Sequence, residues 1–336
     1  SETPLALVGE RLAAMRNIDE VVVLNQRHVS RNHIEYQITN SGVSGDLTVD
    51  GRHFDLDHIR AVYLRLIDHR RFPELVNEPE GSALRHRVEI FHQAFIDWSE
   101  VTDALVMNRF SRQASNSSKP YQTQIIAGMG FCVPETLITN DPELVEEFVR
   151  VHGRVVYKST SGIRSIVSDL DDAAQARLDL IRWCPVQFQR YVEGMDVRVH
   201  VVGPDVFATA ISSAATDYRY AARQNGTPAE LSLYDLEADV AQRCVQLAAT
   251  LELPFAGVDL RLSPDGKIYC FEVNPSPAYS YYENHTDQPI SAAVAALLSG
   301  VTTPPLSAAP SKTETTITSA LTQTAAVAIE ATAVAG

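Results

Sequence analysis

Positive charge is what this chain has least of. Its 28 lysines and arginines stand against 42 aspartates and glutamates, a formal net charge of −14 over 336 residues. Nucleic acids and anionic membranes are gripped through a basic footprint, so neither is expected as a partner. Cysteine is sparse as well. The four present, Cys132, Cys184, Cys244 and Cys270, show neither C-x-x-C nor His-linked spacing, which argues against a zinc site and a disulfide framework. Cys132, Cys184 and Cys270 lie in apolar surroundings and read as core thiols of a reducing compartment. No apolar run approaches the roughly 18 residues of a membrane span, and no basic-then-apolar segment opens the chain. The expectation is a soluble, cytoplasmic protein. Also missing are G-x-x-x-x-G-K-[ST], G-x-G-x-x-G after a strand, H-E-x-x-H and G-x-S-x-G. Those absences remove the P-loop, Rossmann, zinc-protease and nucleophile-elbow readings.

What is present is an ordinary globular composition, 45% hydrophobic and 21% charged, long enough for two or three domains. Short β-rich runs at 21–24, 33–39 and 61–66, a helical stretch at 85–100 and a further run at 104–108 predict a small open-sheet α/β unit over residues 1–115. The polar, small-residue stretch 111–120 marks its boundary. Residues 116–300 read as a second unit of α/β (α+β) class. It begins with a helix over 119–128 and another opened by Asp141 as N-cap with Pro142 in the first turn. A strand at 154–159, a helix at 171–182 and a strand at 185–192 follow. Then come an antiparallel pair, 197–202 with 206–212, a helix at 236–251, a hairpin and a last helix at 290–298. From residue 301 the chain is rich in Thr, Ala, Ser and Pro with three charges, Lys312, Glu314 and Glu330, and reads as a flexible tail over 301–336.

The hairpin GVDLRLSPDGKIYCFEVNPSP, 257–277, is the most informative stretch. Side chains alternate along a strand, so Glu272 and Asn274 point one way while Phe271 and Val273 point the other. Asp259 joins that face only in the right register. A two- or four-residue loop at Ser263–Gly266 puts Asp259 beside Glu272, whereas a three-residue Pro-Asp-Gly loop turns it away unless a second irregularity restores the parity. The pattern Val258/Leu260 and Phe271/Val273, which would share a buried face, favours the even-numbered loop. Three hard oxygen donors on one face suit Mg²⁺, which takes one or two carboxylates and completes its shell with water and phosphate oxygens.

Cations accompany this face. Lys158 ends the apolar strand Val155-Val156-Tyr157 and precedes Ser-Thr-Ser-Gly-Ile-Arg-Ser, small residues that let backbone amides approach a phosphate chain. Lys119 opens a helix, where the dipole disfavours a cation. Asp196 and Arg198 share one strand face, as do Asp259 and Arg261, and Arg219 and Arg223 follow the strand 206–212. Phosphoryl transfer to a carboxylate needs cations on the acyl oxygens and the γ-phosphate, and the planar fork of Arg suits both. Surface ion pairing would account for any one of them alone. His200 alternates outward on its strand, and Trp98 and Trp183 fall on helical segments and read as packing residues.

Taken in order, these pieces resemble the ATP-grasp carboxylate ligases. They are N-x-F at 108–110, SSKPYQTQIIAGMGFCVPETLITND at 117–141, VVYKSTSG at 155–162, VQFQRYVEGMDVRVHVVG at 186–203, TDYRYAARQNG at 216–226, GVDLR at 257–261 and FEVNPSP at 271–277. Within that superfamily the chain is most similar to the ribosomal-protein glutamate ligases and the graspetide (microviridin-type) peptide macrocyclases. The resemblance implies an ATP-grasp fold, with residues 1–115 as the pre-ATP-grasp α/β domain. Its nucleotide would lie between two lobes containing antiparallel sheets, the smaller drawn from 116–184 and the hinge and metal-binding lobe from 185–300. It implies that Lys119 and Lys158 hold the ATP phosphates beneath a loop containing Ser159, Ser161, Gly162 and Arg164. Gln187, Gln189, Tyr191 and Val192 would form the hinge against adenine, and Glu193 would hold the ribose, with Asp196 supporting the strand behind it. Arg198 and Arg219 would face the transferring phosphoryl group, Arg261 the acceptor side, and Asp259, Glu272 and Asn274 two Mg²⁺ ions. One departure is Arg190, where many relatives carry an acidic hinge residue.

The function so implied is ATP- and Mg²⁺-dependent ligation of a carboxylate to an amine or hydroxyl through an acyl phosphate, on a peptide side chain or, alternatively, on a free amino acid or dipeptide. A non-catalytic nucleotide- or peptide-binding relative is the reading from another class, and the complete Asp259, Glu272, Asn274 set speaks against it. Relatives are commonly dimers or tetramers, and no motif here selects an oligomeric state.

Overall fold

The computed structural model describes residues 3–159, 167–213 and 229–300, together with the backbone of 325–330. Its first unit comprises α1 (Thr3–Ala13), β1 (Glu20–Asn25), β2 (His33–Thr39), β3 (Gly42–Val49), β4 (Arg52–Asp55), β5 (Ile59–Tyr63), α2 (Ala83–Val101) and β6 (Leu105–Met107). Strands β2, β3 and β4 form an antiparallel sheet of their own. Phe91, Phe95 and Trp98 of α2 pack with Val22, Leu24, Val62 and Val106, which is why the helix shows apolar residues at three- and four-residue spacing. The stretch 111–120, where the sequence places the boundary, carries two short helical turns, Phe110–Gln113 and Ala114–Ser117.

The small lobe holds α3 (Lys119–Gly128), β7 (Thr136–Thr139), α4 (Pro142–His152), β8 (Val155–Ser159), β9 (Ser168–Asp169) and β10 (Val186–Arg190), with strand order β7-β10-β8-β9. Asp141 caps α4 as expected, accepting from the Glu143 amide, with Pro142 in the first turn. The helix expected at 171–182 breaks. Asp171 caps a short helix, Asp172–Gln175, and a 3-10 stretch, Leu178–Trp183, follows. Leu178 and Ile181 are both buried, and their three-residue spacing suits three residues per turn. That geometry leaves Trp183 89% exposed and Cys184 exposed, so neither is the core residue the sequence suggested. Cys132 is half-buried, while Cys244 and Cys270 are buried.

The large lobe is a five-stranded antiparallel sheet ordered β13-β12-β11-β14-β15. It comprises β11 (Met195–Val202), β12 (Asp205–Ser212), β13 (Glu230–Leu233), α5 (Ala238–Thr250), β14 (Phe255–Leu262), β15 (Ile268–Asn274), α6 (Ser280–Thr286) and α7 (Ile290–Leu298). Val197, Val199 and Val201 point to α5, where Val240, Cys244 and Leu247 cover them. The opposite face, at the end carrying Phe255, packs under α6 and α7 together with Leu5, Val8 and Leu12 of α1. His200, expected to point outward to solvent, is therefore fully buried.

Ala325–Glu330, inside the segment read as a flexible tail, is a strand, β16, parallel between β1 and β5. The run AAVAIE is apolar and free of Gly and Pro, which suits a central parallel strand. No helix among the described residues is long and apolar enough to cross a membrane.

Asn108 joins the first unit to the large lobe. Its Nδ2 donates to the Phe255 and Pro275 carbonyls, both at 2.5 Å, and its Oδ1 accepts from the Phe255 amide at 3.2 Å. Asn108→Ala leaves buried backbone groups unpaired and should destabilise the fold by about 1–3 kcal/mol. The measurement is the urea midpoint at unchanged m-value. A second expectation concerns acid. Burial, and then the neighbouring His69, lower the pKa of the His92 imidazole to about 4, with Asp68 opposing. Below about 6.5 the unfolded chain then binds the proton that the folded chain refuses. This contribution is complete above that pH and is lost as pH falls toward 4, so the thermal midpoint of His92→Gln should fall less steeply with acid than the parent's.

Candidate functional site

The expected loop at 263–266 is not the one that forms. Ser263 N bonds Lys267 O at 3.0 Å around Pro264-Asp265-Gly266, with Gly266 at φ +80°. This three-residue turn sets Arg261 against Tyr269 and Leu260 against Cys270, a parity that would turn Asp259 away from Glu272. A bulge between Asp259 and Leu260 corrects it, and Asp259 stands opposite Glu272 after all. Phe271 is the extra residue. Cys270 takes its expected place in the core, and the Phe271 ring lies 5.2 Å from the Arg261 guanidinium.

Three rows therefore cross one sheet face. Arg198, Asp259 and Glu272 are aligned across β11, β14 and β15, and His200, Gly257 and Asn274 are aligned beside them. Asp196 and Arg261 form the third row, on the hinge side. Arg198 Nη1 donates to Asp259 Oδ1 at 2.6 Å, the two side chains being 6% and 18% exposed. Lys119 Nζ donates to Glu272 Oε2 at 2.8 Å, at 8% and 18%. Like charges directly opposite each other destabilise a sheet, and these two cations relieve that repulsion. No group of three or more His, Cys, Asp and Glu placed to hold a metal ion is found among the described residues, so a metal reading rests on two carboxylates and the Asn274 amide.

Lys119 is brought to the sheet by α3, which runs along the outer edge of β15. Gln122 completes that edge, its Nε2 donating to Val273 O and its Oε1 accepting from Val273 N, both at 2.9 Å. Gln122 lies three residues beyond Lys119 on the same helix face, a spacing that could have drawn attention to it. Cys132 extends the edge, giving its amide to Ile268 O and accepting from Cys270 N, each at 2.9 Å.

Lys158, buried on β8, is directly opposite Gln187 on β10. Gln187 is also buried, and its Oε1 has no hydrogen-bond partner among the described residues. Gln189 turns to Thr136 Oγ1 at 2.9 Å. Arg190 pairs with Glu135 Oε2 at 2.5 Å and the Tyr269 hydroxyl at 2.9 Å. Those bonds raise the Arg190 pKa and hold the Glu135 carboxyl below its usual range. Tyr191 is covered by the Arg154 guanidinium, 3.6 Å from its ring centroid. Glu193 is exposed. Gly194, missed in the sequence, has φ +147°, and a side chain there would meet the Leu262 backbone, with its carbonyl carbon only 2.8 Å away.

Arg261, expected on the acceptor side, is held bidentately by Asp196, 2.7 Å to Oδ1 and 2.9 Å to Oδ2, and also donates to Val192 O at 2.8 Å. Its donors brace the hinge. Of the loop around Lys158, Ser159 ends β8, while Ser161, Gly162 and Arg164 lie outside the described residues. Arg219 and Arg223 lie outside them too.

The RimK-like ATP-grasp domain family matches residues 116–298, more than half of the chain. No curated protein sequence matches. Among solved structures, a RiPP-associated ATP-grasp ligase of Chryseobacterium gregarium, in complex with ADP and a leader and core peptide, superposes with a TM-score of 0.75 at 22% identity, over 89% of this chain and 93% of that one. The macrocyclase MdnC of Microcystis aeruginosa MRC, bound with precursor peptide MdnA, gives 0.70 at 19% identity, over 89% and 96%. The ATP-grasp ligase PsnB, complexed with a minimal precursor, gives 0.70 at 25% identity, over 89% and 95%. The fold expected from the motifs is the fold found, and the chain belongs to the RimK-like ATP-grasp family of ATP-dependent ligases.

Proposed function

We propose that the chain activates a side-chain carboxylate of a peptide as an acyl phosphate and joins it to an amine or hydroxyl. The observation that carries this reading is the row Arg198–Asp259–Glu272 with Lys119 above it: two opposed carboxylates on a largely buried face, each already paired with a cation. The Asp259, Glu272 and Asn274 oxygens fit Mg²⁺ by donor type and charge. When bound, magnesium would neutralise phosphate oxygens as charge shifts to the leaving ADP. We assign the set two such ions. The lone Gln187 Oε1 fits a donor such as the adenine amino group, which would leave hinge recognition to Gln187 and to the backbone of Tyr191 and Val192.

Lys119 and Lys158 would hold phosphate oxygens, and Arg198 with Arg219 would hold the γ-phosphoryl group as it passes to the substrate. The carboxylate oxygen attacks phosphorus and ADP leaves. The nucleophile then attacks the acyl carbon, and phosphate departs as the amide or ester forms. Loop residues 158–165 would exclude water from that acyl carbon. Arg261 serves this scheme by bracing Val192 and Asp196, with Glu193 toward the ribose. The ligases of known structure at similar fold include several complexed with precursor peptides, and PsnB has been complexed with Mg and ADP, which favours a peptide over a free amino acid as substrate. Such an enzyme would work in the cytoplasm, where ATP is supplied.

Incubation with ATP, Mg²⁺ and a panel of Asp- and Glu-containing peptides should release ADP and remove one water per ring, or add one residue mass if an amino acid is joined. Products only from free amino acids would support the dipeptide-ligase alternative, and ADP binding without turnover the non-catalytic one. Glu272→Gln should lower turnover by roughly a hundredfold or more. Parental turnover in that variant would contradict the proposal.

A further inference from the structure

We infer that Gly257 is a positioning residue for Arg198: its missing side chain is the seat on which the guanidinium lies. The inference rests on the reading that Arg198 serves the transferring phosphoryl group. In the sheet, Gly257 stands opposite His200, one row beyond the Arg198–Asp259 pair. The arginine side chain leaves its own row and crosses over the Gly257 backbone. A Cβ built at Gly257 would fall 2.5 Å from Arg198 Cζ and 2.9 Å from Nε, and closer still to Nη2. Carbon atoms in ordinary van der Waals contact stand about 3.5–4.0 Å apart, so no side chain fits there with the guanidinium in place.

The backbone does not explain this glycine. Gly257 is not among the glycines of positive φ, and it sits inside a regular strand paired on both sides, where glycine is otherwise unfavourable. Its place in the strand answers to the arginine. The seat has walls as well. The Tyr282 ring, from α6, lies 6.0 Å from Arg198 Cζ and 4.8 Å from the His200 ring. His200 is wholly buried, with no partner for either ring nitrogen among the described residues. Burial, and then the charge of Arg198, push its pKa well below the usual range, so it lines the seat as a neutral group. With Nη1 held by Asp259 on one side and these walls on the other, the guanidinium is fixed on the Asn274 side of Asp259, in the row where Asn274 stands.

The test is Gly257→Ala. The three atoms nearest the added methyl all belong to the end of the Arg198 side chain, so the fold should survive while Arg198 is displaced. ADP release from Mg·ATP should fall at least tenfold in kcat, with calorimetric affinity for Mg·ADP within twofold of the parent. In an Arg198→Ala background the same change should have no further effect, because both substitutions remove one interaction. Parental kcat in Gly257→Ala, or an undiminished further loss in the double variant, would overturn the inference while leaving the role of Arg198 intact. Parental turnover in Arg198→Ala would instead refute the reading beneath it, and the inference with it. Should Gly257→Ala fail to fold, the urea midpoint of Arg198→Ala/Gly257→Ala should match that of Arg198→Ala alone, since the crowding atoms belong to Arg198; a lower midpoint in the double variant would also overturn it.

Discussion

The pairing of two carboxylates with two cations on one largely buried face is the constraint on which the rest of the structure depends. Asp259 and Glu272 face each other across adjacent strands, where two negative charges would repel in a medium far less polarisable than water. Arg198 reaches Asp259 within the sheet, and Lys119 reaches Glu272 from a helix outside it. The charges are thus in place, and compensated, before any ligand arrives. Removing one partner of such a pair would leave a buried charge alone, a far larger penalty than losing an exposed ion pair. A phosphate chain and a divalent cation can replace these internal partners in kind, anion for anion and cation for cation.

Holding the cations there requires polar side chains that stand in for strand neighbours. Gln122 gives its amide to both backbone groups of Val273 and so fastens the Lys119 helix to the edge of β15. Asn108 does the same at the ends of β14 and β15, bonding Phe255 and Pro275. Arg65, from beyond β5, donates to the Pro277 carbonyl at 3.2 Å. These contacts join the first unit, the small lobe and the hairpin through buried hydrogen bonds, where misplacement leaves groups unsatisfied. Arg261 ties Val192 to Asp196, so the segment entering β11 and the β14–β15 hairpin share one guanidinium.

Much of this was legible in the sequence, for identifiable reasons. The 119–128 and 290–298 helices and the 197–202/206–212 antiparallel pair form where the sequence places them, and the motif order points to the ATP-grasp family. The Asp259–Glu272 pairing was foreseen, but by the wrong loop: the Pro264-Asp265-Gly266 turn has the opposite parity, and only the bulge at Phe271 restores it. A bulge leaves no fixed residue signature, so alternation alone placed Phe271 in the core where Cys270 sits. Arg261 reads from the sequence as facing the acceptor, and charge spacing does not say that its guanidinium turns to Asp196 and Val192. The sequence assigns no role to Gln122 or Gly257, and to Asn108 only a place in the N-x-F motif, because their work is done for residues far along the chain. His200 alternates as an outward residue would, and the helices packed on that face, with Tyr282 of α6 against its ring, bury it.

The most direct test of the charge-compensated face is a crystal structure of the protein with Mg²⁺ and a non-hydrolysable ATP analogue. The account predicts magnesium at about 2.1 Å from side-chain oxygens of Glu272 and Asn274, with Lys119 Nζ turned from Glu272 to a phosphate oxygen. Magnesium bound elsewhere, with the Lys119–Glu272 pair still closed over a bound nucleotide, would contradict it.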